Sequence, residues 1–338
     1  MADMTAPLAV TMGEPAGIGP DIILKAYEQA RSRSLPAFCV IGCAETLLAR
    51  AKLSGQDTVS VLPVASASDA AGAFDTGLPV LDRPLQEPSQ PGVPKTATAA
   101  HVIRWIDEAV TLALSGEASG VVTAPIQKET LYHAGFKHQG HTDYLAHLAI
   151  SAGHQASPVM MLSAGSFRTV PLSVHIALKD VPAAVTAQKI ISQARTIHHD
   201  LSRYFAIAHP RIAVAGLNPH AGENRTIGKE DADIILPAIN TLKSEGIAAF
   251  GPVSADTLFH EEARATYDLA LCMYHDQALI PVKTIGFHDG INTTLGLPFV
   301  RTSPDHGTAL YLAGTGKANP FSFIAALRQA AMMAKALK

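Results

Sequence analysis

The segment that decides the fold reads Leu8-Ala-Val-Thr-Met-Gly-Glu-Pro-Ala-Gly-Ile-Gly-Pro20, followed by Asp-Ile-Ile-Leu24. A short apolar run, a turn rich in glycine and proline, and an amphipathic run follow one another. This order predicts a buried strand that leads through a tight turn into a helix. The glycines at 13, 17 and 19 do not match the dinucleotide-binding pattern G-x-G-x-x-G, and no G-K-[ST] ends the turn as in a P-loop. The segment therefore predicts an α/β fold without the usual nucleotide signature.

The same alternation recurs along the chain. Further strands are predicted at Ala37–Ile41, Gly120–Thr123, Val159–Leu162, Thr169–Ile176, Arg211–Leu217 and Leu269–Tyr274. Helices are predicted through Ile22–Tyr27 and over Glu45–Lys52, Thr98–Ser115, Ala187–Tyr204, Asp231–Ser244 and Phe321–Lys338, with a loop at Gln86–Lys95. Strands that alternate with helices are typical of parallel sheets covered by helices. Because 338 residues exceed what one core usually serves, we expect two α/β domains, residues 1–125 with 286–338 and residues 126–285.

Composition excludes several classes of protein. Apolar residues make up 48% of the chain and charged residues 16%, and the net charge is −3. These values are typical of a globular protein and predict neither nucleic-acid binding nor membrane association, since no basic run or 20-residue apolar stretch occurs. Only Cys39, Cys43 and Cys272 are present, and we interpret them as buried thiols. With no secretory signal visible, we expect a cytoplasmic protein.

Three histidines occupy equivalent places in the predicted strands. His175, His220 and His275 each follow an apolar strand-like run. In open α/β sheets the carboxyl ends of strands line the ligand crevice, where three imidazoles can hold a metal ion and leave coordination positions open. The separations of 45 and 55 residues form no local motif (220 − 175 and 275 − 220). Ordinary hydrogen-bonded or solvent-facing histidines are the alternative.

Cationic and hydroxyl side chains form a second set. Lys283, Asn292 and Arg301 recur every nine residues among glycines and threonines. Such groups suit a phosphate or a carboxylate, although ordinary surface cations are the alternative. The segment Gly140-His-Thr-Asp143 places an imidazole and a hydroxyl on a glycine turn. Together these residues predict a site for a small anionic substrate.

The assembled motifs resemble one family, the PdxA dehydrogenases that act on 4-hydroxythreonine 4-phosphate in pyridoxal phosphate synthesis. The likeness runs from Leu8 to Leu327. It rests on Thr11-Met-Gly-Glu-Pro-Ala-Gly-Ile-Gly-Pro20, Val122-Thr-Ala-Pro-Ile126, Gly140-His-Thr-Asp143, Asn218-Pro-His-Ala-Gly-Glu223, Met273-Tyr-His-Asp-Gln277, Gly290-Ile-Asn-Thr-Thr-Leu-Gly-Leu-Pro298 and Arg301-Thr-Ser-Pro-Asp-His-Gly307. None of these motifs is specific alone, but their combination is.

The resemblance implies two α/β domains with a cleft between them, as in isocitrate and isopropylmalate dehydrogenases. It also implies a homodimer whose active site is shared between subunits. His175 and His220 of one subunit and His275 of the other would hold zinc, magnesium or cobalt. Residues matching the substrate-binding positions are His141, Thr142, Lys283, Asn292 and Arg301. The loop around Gly290 to Pro298 and the turn at Asp305 resemble the region that meets the cofactor, which assigns Gly290, Leu295, Gly296, Pro298 and Asp305 to NAD or NADP.

The activity implied is the metal-dependent oxidation of 4-phosphohydroxy-L-threonine by NAD or NADP, followed by loss of CO₂. The candidates for accepting the proton are Asp256, Asp276 and Lys283. Glu14, Asp143 and Gln127 depart from the commoner family residues, which keeps open a sibling dehydrogenase for D-threonate or D-erythronate 4-phosphate. A phosphate acyltransferase-like enzyme and a non-catalytic metal- or phosphate-binding protein are further alternatives.

Overall fold

The computed structural model describes residues 6–337, so residues 1–5 and Lys338 lie outside the description. The strands are β1 Leu8–Thr11, β2 Phe38–Gly42, β3 Val61–Pro63, β4 Leu78–Asp82, β5 Val121–Thr123, β6 Val159–Ala164, β7 Phe167–Pro171, β8 Ile212–Ala215, β9 Ala249–Val253, β10 Leu269–Cys272, β11 Ile291–Leu295 and β12 Arg301–Pro304. The α-helices are α1 Gly19–Glu28, α2 Ala44–Ser54, α3 Ala67–Ala73, α4 Ala99–Ser115, α5 Lys128–His133, α6 His141–Ser151, α7 Val181–Ala184, α8 Ala187–Phe205, α9 Leu236–Ser244, α10 Ala255–Leu258, α11 Glu261–Arg264, α12 His275–Ile285 and α13 Phe321–Lys335. Short 3₁₀ segments lie at Thr96–Thr98, Leu178–Asp180, Pro219–Arg225 and Leu310–Leu312, and a π-helical turn at Asp231–Ile235.

The chain divides into two compact units. Unit 1 comprises the described residues up to Ala156 together with Leu297–Ala336, and unit 2 comprises Ser157–Gly296. The expected domains ended at residue 125 and resumed at residue 286. Residues 126–156 instead belong to unit 1, because α6 packs on α4. Residues 286–296 belong to unit 2, because β11 pairs with β6 along its whole length.

Unit 1 contains a parallel sheet with the strand order β3-β4-β2-β1-β5-β12. All four residues of β1 and all five of β2 are buried, as expected of parallel strands covered on both faces. Helix α4 packs Val102, Trp105 and Ile106 into this core at helical spacing. The prediction of a parallel sheet is therefore confirmed for this unit.

A buried ion pair holds the glycine-rich turn that follows β1. Arg50 on α2 donates to the carbonyl oxygens of Gly17 at 2.7 Å and Pro15 at 3.0 Å. It also pairs with the carboxylate of Asp21, which is fully buried in the first turn of α1. A guanidinium supplies several donors in a fixed geometry and can bind all three acceptors at once. The ion pair of Arg50 and Asp21 therefore explains how the glycine-rich turn keeps its conformation.

Unit 2 contains a mixed sheet with the strand order β11-β6-β7-β10-β8-β9. Strands β7, β10, β8 and β9 run parallel to one another, whereas β6 pairs antiparallel with both β7 and β11. The expectation of parallel strands throughout is wrong here, because β6 and β7 form a hairpin through a turn at Gly165 with φ of +58°. The core of the unit packs α8 and α9 against these strands.

Most predicted helices and strands are confirmed within one or two residues, and three differ more. The predicted strand Thr169–Ile176 ends at Pro171 as β7. The predicted helix Asp231–Ser244 begins with the π-helical turn before α9. The last helix stops at Lys335. The segment from Gly290 to Pro298, expected as a loop, contains strand β11.

The three cysteines are buried free thiols, as expected. No helix among residues 6–337 is long and apolar enough to cross a membrane.

Candidate metal and substrate site

The sheet order of unit 2 explains why three histidines distant in sequence can act together. Strands β7, β10 and β8 are parallel neighbours, so their carboxyl ends lie at one edge of the sheet. His175 follows β7, His275 begins α12 just after β10, and His220 lies in the turn after β8. All three residues therefore follow strands that end at that edge, the positions that the sequence predicted.

His175 and His275 are neighbours within one chain. Their ring centroids lie 5.8 Å apart. Ladder bonds beyond the strand ends hold them there, since Leu172 N donates to Cys272 O at 2.7 Å and Ser173 Oγ to Met273 O at 2.8 Å. Two imidazoles that bind one ion at about 2.0–2.1 Å have ring centres roughly 5 Å apart, so this pair fits a common metal ion.

A carboxylate orients His275. Its Nδ1 lies 2.7 Å from Oδ1 of Asp276, the arrangement in which a metal-bound histidine uses its other ring nitrogen for the ion. Within residues 6–337, no three His, Cys, Asp or Glu side chains are grouped closely enough to hold a metal. The family resemblance placed His275 with the partner subunit, whereas here its ring lies beside that of His175 of the same chain.

His220 lies in a left-handed backbone turn. Residues His220 to Asn224 all have positive φ, with φ of +52° and ψ of +31° at His220 itself. Four of these five residues carry a side chain, and each adopts a conformation that L-residues rarely populate. Such outliers persist only where surrounding contacts enforce them, and they concentrate at functional sites. The sequence did not predict this turn.

A cavity of about 390 Å³ opens in unit 2 and is lined in part by Asp256, Ile280 and the two sequence neighbours of His275, Tyr274 and Asp276. The carboxylate of Asp256 accepts a hydrogen bond from Ser254 Oγ, and this bond, with a smaller contribution from the nearby His220, lowers the pKa of Asp256. Asp256 is therefore ionised at neutral pH. Two of the three predicted proton acceptors thus line one cavity.

The remaining predicted residues of unit 2 lie on α12 and β11. The ammonium of Lys283 lies 5.9 Å from the ring centroid of Phe287. Asn292 lies in β11 opposite Leu162, and its Oδ1 is buried without a hydrogen-bond partner. Buried amide oxygens are normally bonded, so Oδ1 is available for a ligand donor.

The structure explains Leu295 and Gly296 in another way. The side chain of Leu295 is fully buried in the core of unit 2. Gly296 donates its N–H to Asp200 at 2.6 Å and accepts from Ser157 N at 3.0 Å. Both backbone groups of Gly296 are thus used within the protein. Gly290 is buried just before β11, and the assignment of these residues to the cofactor stays a prediction.

Unit 1 holds His141, Thr142 and Arg301. The guanidinium of Arg301 is 2% exposed and donates to Thr123 Oγ1 at 2.7 Å. Burial lowers the pKa of Arg301 to about 9, so the group stays charged at neutral pH. His141 begins α6 next to Thr142, and its Nε2 is buried without a hydrogen-bond partner. Burial, and then the charges of Arg301 and Lys128, hold the pKa of His141 well below 6.5.

This cluster combines a buried cation with a neutral imidazole, and it suits an anionic group of a substrate. The two cofactor candidates of unit 1, Pro298 and Asp305, are half-buried, and Asp305 N donates to Ser322 Oγ at 3.1 Å. This contact does not identify a cofactor, so the assignment of Pro298 and Asp305 to cofactor binding also stays a prediction.

Sequence reasoning missed two residues that support the site. Gln277, on the first turn of α12, accepts from Met273 N at 2.7 Å and donates to Gly216 O at 2.9 Å, which joins the ends of β10 and β8. Asp231 binds the backbone ahead of His220. Gln277 ends the motif Met273-Tyr-His-Asp-Gln277, and its place two residues after His275 was the available signal. Asp231 is distant from every motif.

The protein has an α/β fold, with three histidines that follow strand ends in unit 2 and a buried arginine beside a histidine in unit 1. The family model for "Pyridoxal phosphate biosynthetic protein PdxA" matches residues 34–330. The 4-hydroxythreonine-4-phosphate dehydrogenase of Bradyrhizobium diazoefficiens is 50% identical over 337 residues, which cover 98% of this chain and 97% of that protein. The same-named protein of Caulobacter vibrioides is 50% identical over 330 residues and covers 97% of both chains.

A solved structure agrees with these relatives. The crystal structure of 4-hydroxythreonine-4-phosphate dehydrogenase from Klebsiella pneumoniae matches with a TM-score of 0.86 and 36% identity, covering 97% of this chain and 99% of the other. The chain belongs to the PdxA family. The resemblance drawn from the motifs is confirmed, and membership of this dehydrogenase family implies a nicotinamide cofactor and a divalent metal.

Proposed function

We propose that this protein oxidises 4-phosphohydroxy-L-threonine with NAD or NADP in pyridoxal 5'-phosphate biosynthesis. The product, 2-amino-3-oxo-4-phosphohydroxybutanoate, is a β-keto acid that decarboxylates to 3-amino-2-oxopropyl phosphate. The observation that carries the proposal is similarity over nearly the full length of relatives that all bear this enzyme's name.

The proposed metal ligands are His175, His220 and His275. The side-by-side rings of His175 and His275, and the carboxylate of Asp276 on His275, support this set. Imidazole ligands suit zinc or cobalt better than magnesium, which prefers oxygen ligands. When bound, a divalent ion supplies Lewis acidity toward the substrate hydroxyl and the carbonyl formed from it.

The chain's own residues bind the substrate and accept its proton. In unit 1 we assign Arg301, His141 and Thr142 to the anionic and polar groups of the substrate. In unit 2 we assign Lys283 and Asn292 to the same purpose, the buried Oδ1 of Asn292 accepting a substrate N–H or O–H. Binding of a phosphate distant from the reacting carbon orients that carbon for hydride transfer.

Asp256 is our choice for the proton acceptor. It is ionised, lines the cavity, lies near His220 and accepts a hydrogen bond from the Ser254 hydroxyl. Asp276 is instead engaged in orienting His275. A base must lie within hydrogen-bond reach of the proton it removes, and the cavity gives Asp256 that access.

Purified protein assayed by NADH absorbance at 340 nm tests the reaction. We expect turnover with 4-phosphohydroxy-L-threonine and metal, and a kcat/KM at least about tenfold lower with D-threonate or D-erythronate 4-phosphate, since a site built for the amino group loses that contact. A higher kcat/KM for either sugar acid would assign the sibling activity instead, although full-length relatives of one name do not favour it. His220→Ala should lose bound metal and turnover together, and normal values of both would exclude His220 as a ligand.

A further inference from the structure

We infer that Asp231 is a positioning residue, which holds the left-handed turn that carries His220 and thereby supports metal binding by that histidine. This inference rests on the proposed metal role of His220. Asp231 is 1% exposed and lies in the π-helical turn that precedes α9. The carboxylate acts on His220 through the backbone of Leu217 and Asn218, without touching substrate or metal.

The carboxylate of Asp231 binds the chain just ahead of the turn by three hydrogen bonds. Oδ1 accepts from Leu217 N at 2.8 Å, and Oδ2 accepts from Asn218 N at 3.2 Å and from Asn218 Nδ2 at 2.8 Å. Backbone donors that bind a buried carboxylate form bonds stronger than those between neutral groups. Asp231 therefore determines where the chain enters the turn, two residues before His220.

Glycines around the carboxylate show how closely the turn packs on it. A Cβ at Gly216 would lie 2.9 Å from Oδ1 of Asp231 and 2.9 Å from Cα of Ala221. A Cβ at Gly222 would lie 3.2 Å from Oδ2 of Asp231. The turn and the carboxylate thus form one packed assembly in which glycine alone fits at these two contacts.

Positive φ angles explain why this support is needed. In the left-handed region, residues other than glycine are strained, and His220, Ala221, Glu223 and Asn224 all lie there. Without the three bonds to Asp231, the segment would relax toward ordinary backbone angles. The imidazole of His220 would then leave the edge of the sheet where His175 and His275 lie.

The test is the dissociation constant for Co²⁺ of the full chain, measured by equilibrium dialysis with the visible absorption of the bound ion. Asp231→Asn keeps the shape but presents an amide N–H₂ to donors, and we expect binding to weaken about 10- to 100-fold, as for other groups that orient a ligand. Asp200→Asn is the matched control. Asp200 is also a buried carboxylate of unit 2 that accepts a backbone N–H, but it bonds Gly296.

Comparable Co²⁺ affinity in Asp231→Asn and wild type would overturn the inference, as would an equal loss in the Asp200→Asn control. If Asp231→Asn does not fold, Asn218→Ala decides, because it removes one of the three bonds and retains the carboxylate. An intermediate loss of affinity then supports the inference and no loss overturns it. Absence of Co²⁺ binding by the wild type would instead refute the proposed metal site itself.

Discussion

The histidines of this chain lie in different electrostatic surroundings. His275 lies beside the carboxylate of Asp276, which fixes the orientation of its ring. His141 is instead buried and lies near the cations Arg301 and Lys128, and burial and both charges oppose its protonation. His141 is therefore neutral at physiological pH, and its Nε2 can accept or donate one hydrogen bond according to the tautomer.

This environment predicts how the stability of the metal-free protein depends on pH. In the folded state the pKa of His141 lies well below the ordinary 6.5. The unfolded chain therefore binds more protons below pH 6.5. The contribution of His141 is present above pH 6.5 and is lost as pH falls, by up to about 1.4 kcal/mol per pH unit. Urea unfolding at pH 7.5 and 5.5 should show that His141→Asn loses roughly 1.4 kcal/mol less than wild type between these values.

His147 provides the control for this measurement, because it is exposed on the same helix α6. His147→Asn is the matched substitution with which the effect of His141→Asn is compared. If His141→Asn and wild type lose equal free energy of unfolding between the two pH values, His141 is protonated in the folded state and its assignment as a neutral group is wrong.

At the scale of elements, the end of β11 depends on close packing. Gly296 has φ of +74°, and a Cβ there would lie 2.0 Å from the carbonyl oxygen of Ser157. Gly296→Ala should reduce the free energy of unfolding by about 2–5 kcal/mol, the sum of about 1–2 for the left-handed conformation and about 1–3 for overpacking. Urea unfolding at constant pH measures this loss.

Gly165→Ala separates the cost of the left-handed conformation from the cost of overpacking. Gly165 also has positive φ, at +58°, but a Cβ there meets no atom within 4 Å. This control should lose only about 1–2 kcal/mol. Equal losses for the two variants would show that the close approach at Gly296 is relieved without cost, and the strand end would then be less constrained than its packing indicates.

Elements were predictable where the apolar pattern alone determines them. The runs at Leu8 and Ala37 are buried strands, and α4 has the expected helical spacing. Strand direction was not predictable, because a fully buried run looks the same in a parallel and an antiparallel pair, as β6 shows. Strand β11 after Gly290 was also missed, since the consecutive polar residues Asn292-Thr-Thr294 between glycines resemble a loop.

The site was predictable to the extent that function requires a particular side chain. His175, His220 and His275 were proposed as ligands because imidazoles at strand ends can bind a metal ion. The supporting residues Gln277 and Asp231 were not predicted, because their roles depend on backbone geometry. Nothing in the segment from His220 to Asn224 predicts five positive φ angles, since only Gly222 favours them. Asp231 reads as an ordinary helix-start residue until its three bonds are seen.

At the scale of the whole molecule, the family resemblance implies a homodimer in which each site takes histidines from both chains. Large apolar side chains on and after α12 are exposed, with Ile280 64% and Phe287 72% accessible. Exposed apolar groups near a site often mark a protein interface, and in a symmetric dimer one such surface meets its own copy. A site that combines histidines of both chains predicts complementation between defective subunits.

A heterodimer of one His220→Ala chain and one His275→Ala chain tests the shared site. Co-expression with two different affinity tags isolates it. If His220 and His275 of a site come from different chains, one of the two sites is intact, and activity should be about half that of wild type, whereas each variant homodimer is inactive. An inactive heterodimer would place both histidines in one chain. Pairing His175→Ala with His275→Ala then locates the third ligand: restored activity supports the arrangement of the family resemblance, and its absence assigns the neighbouring rings of His175 and His275 to a single site within one chain.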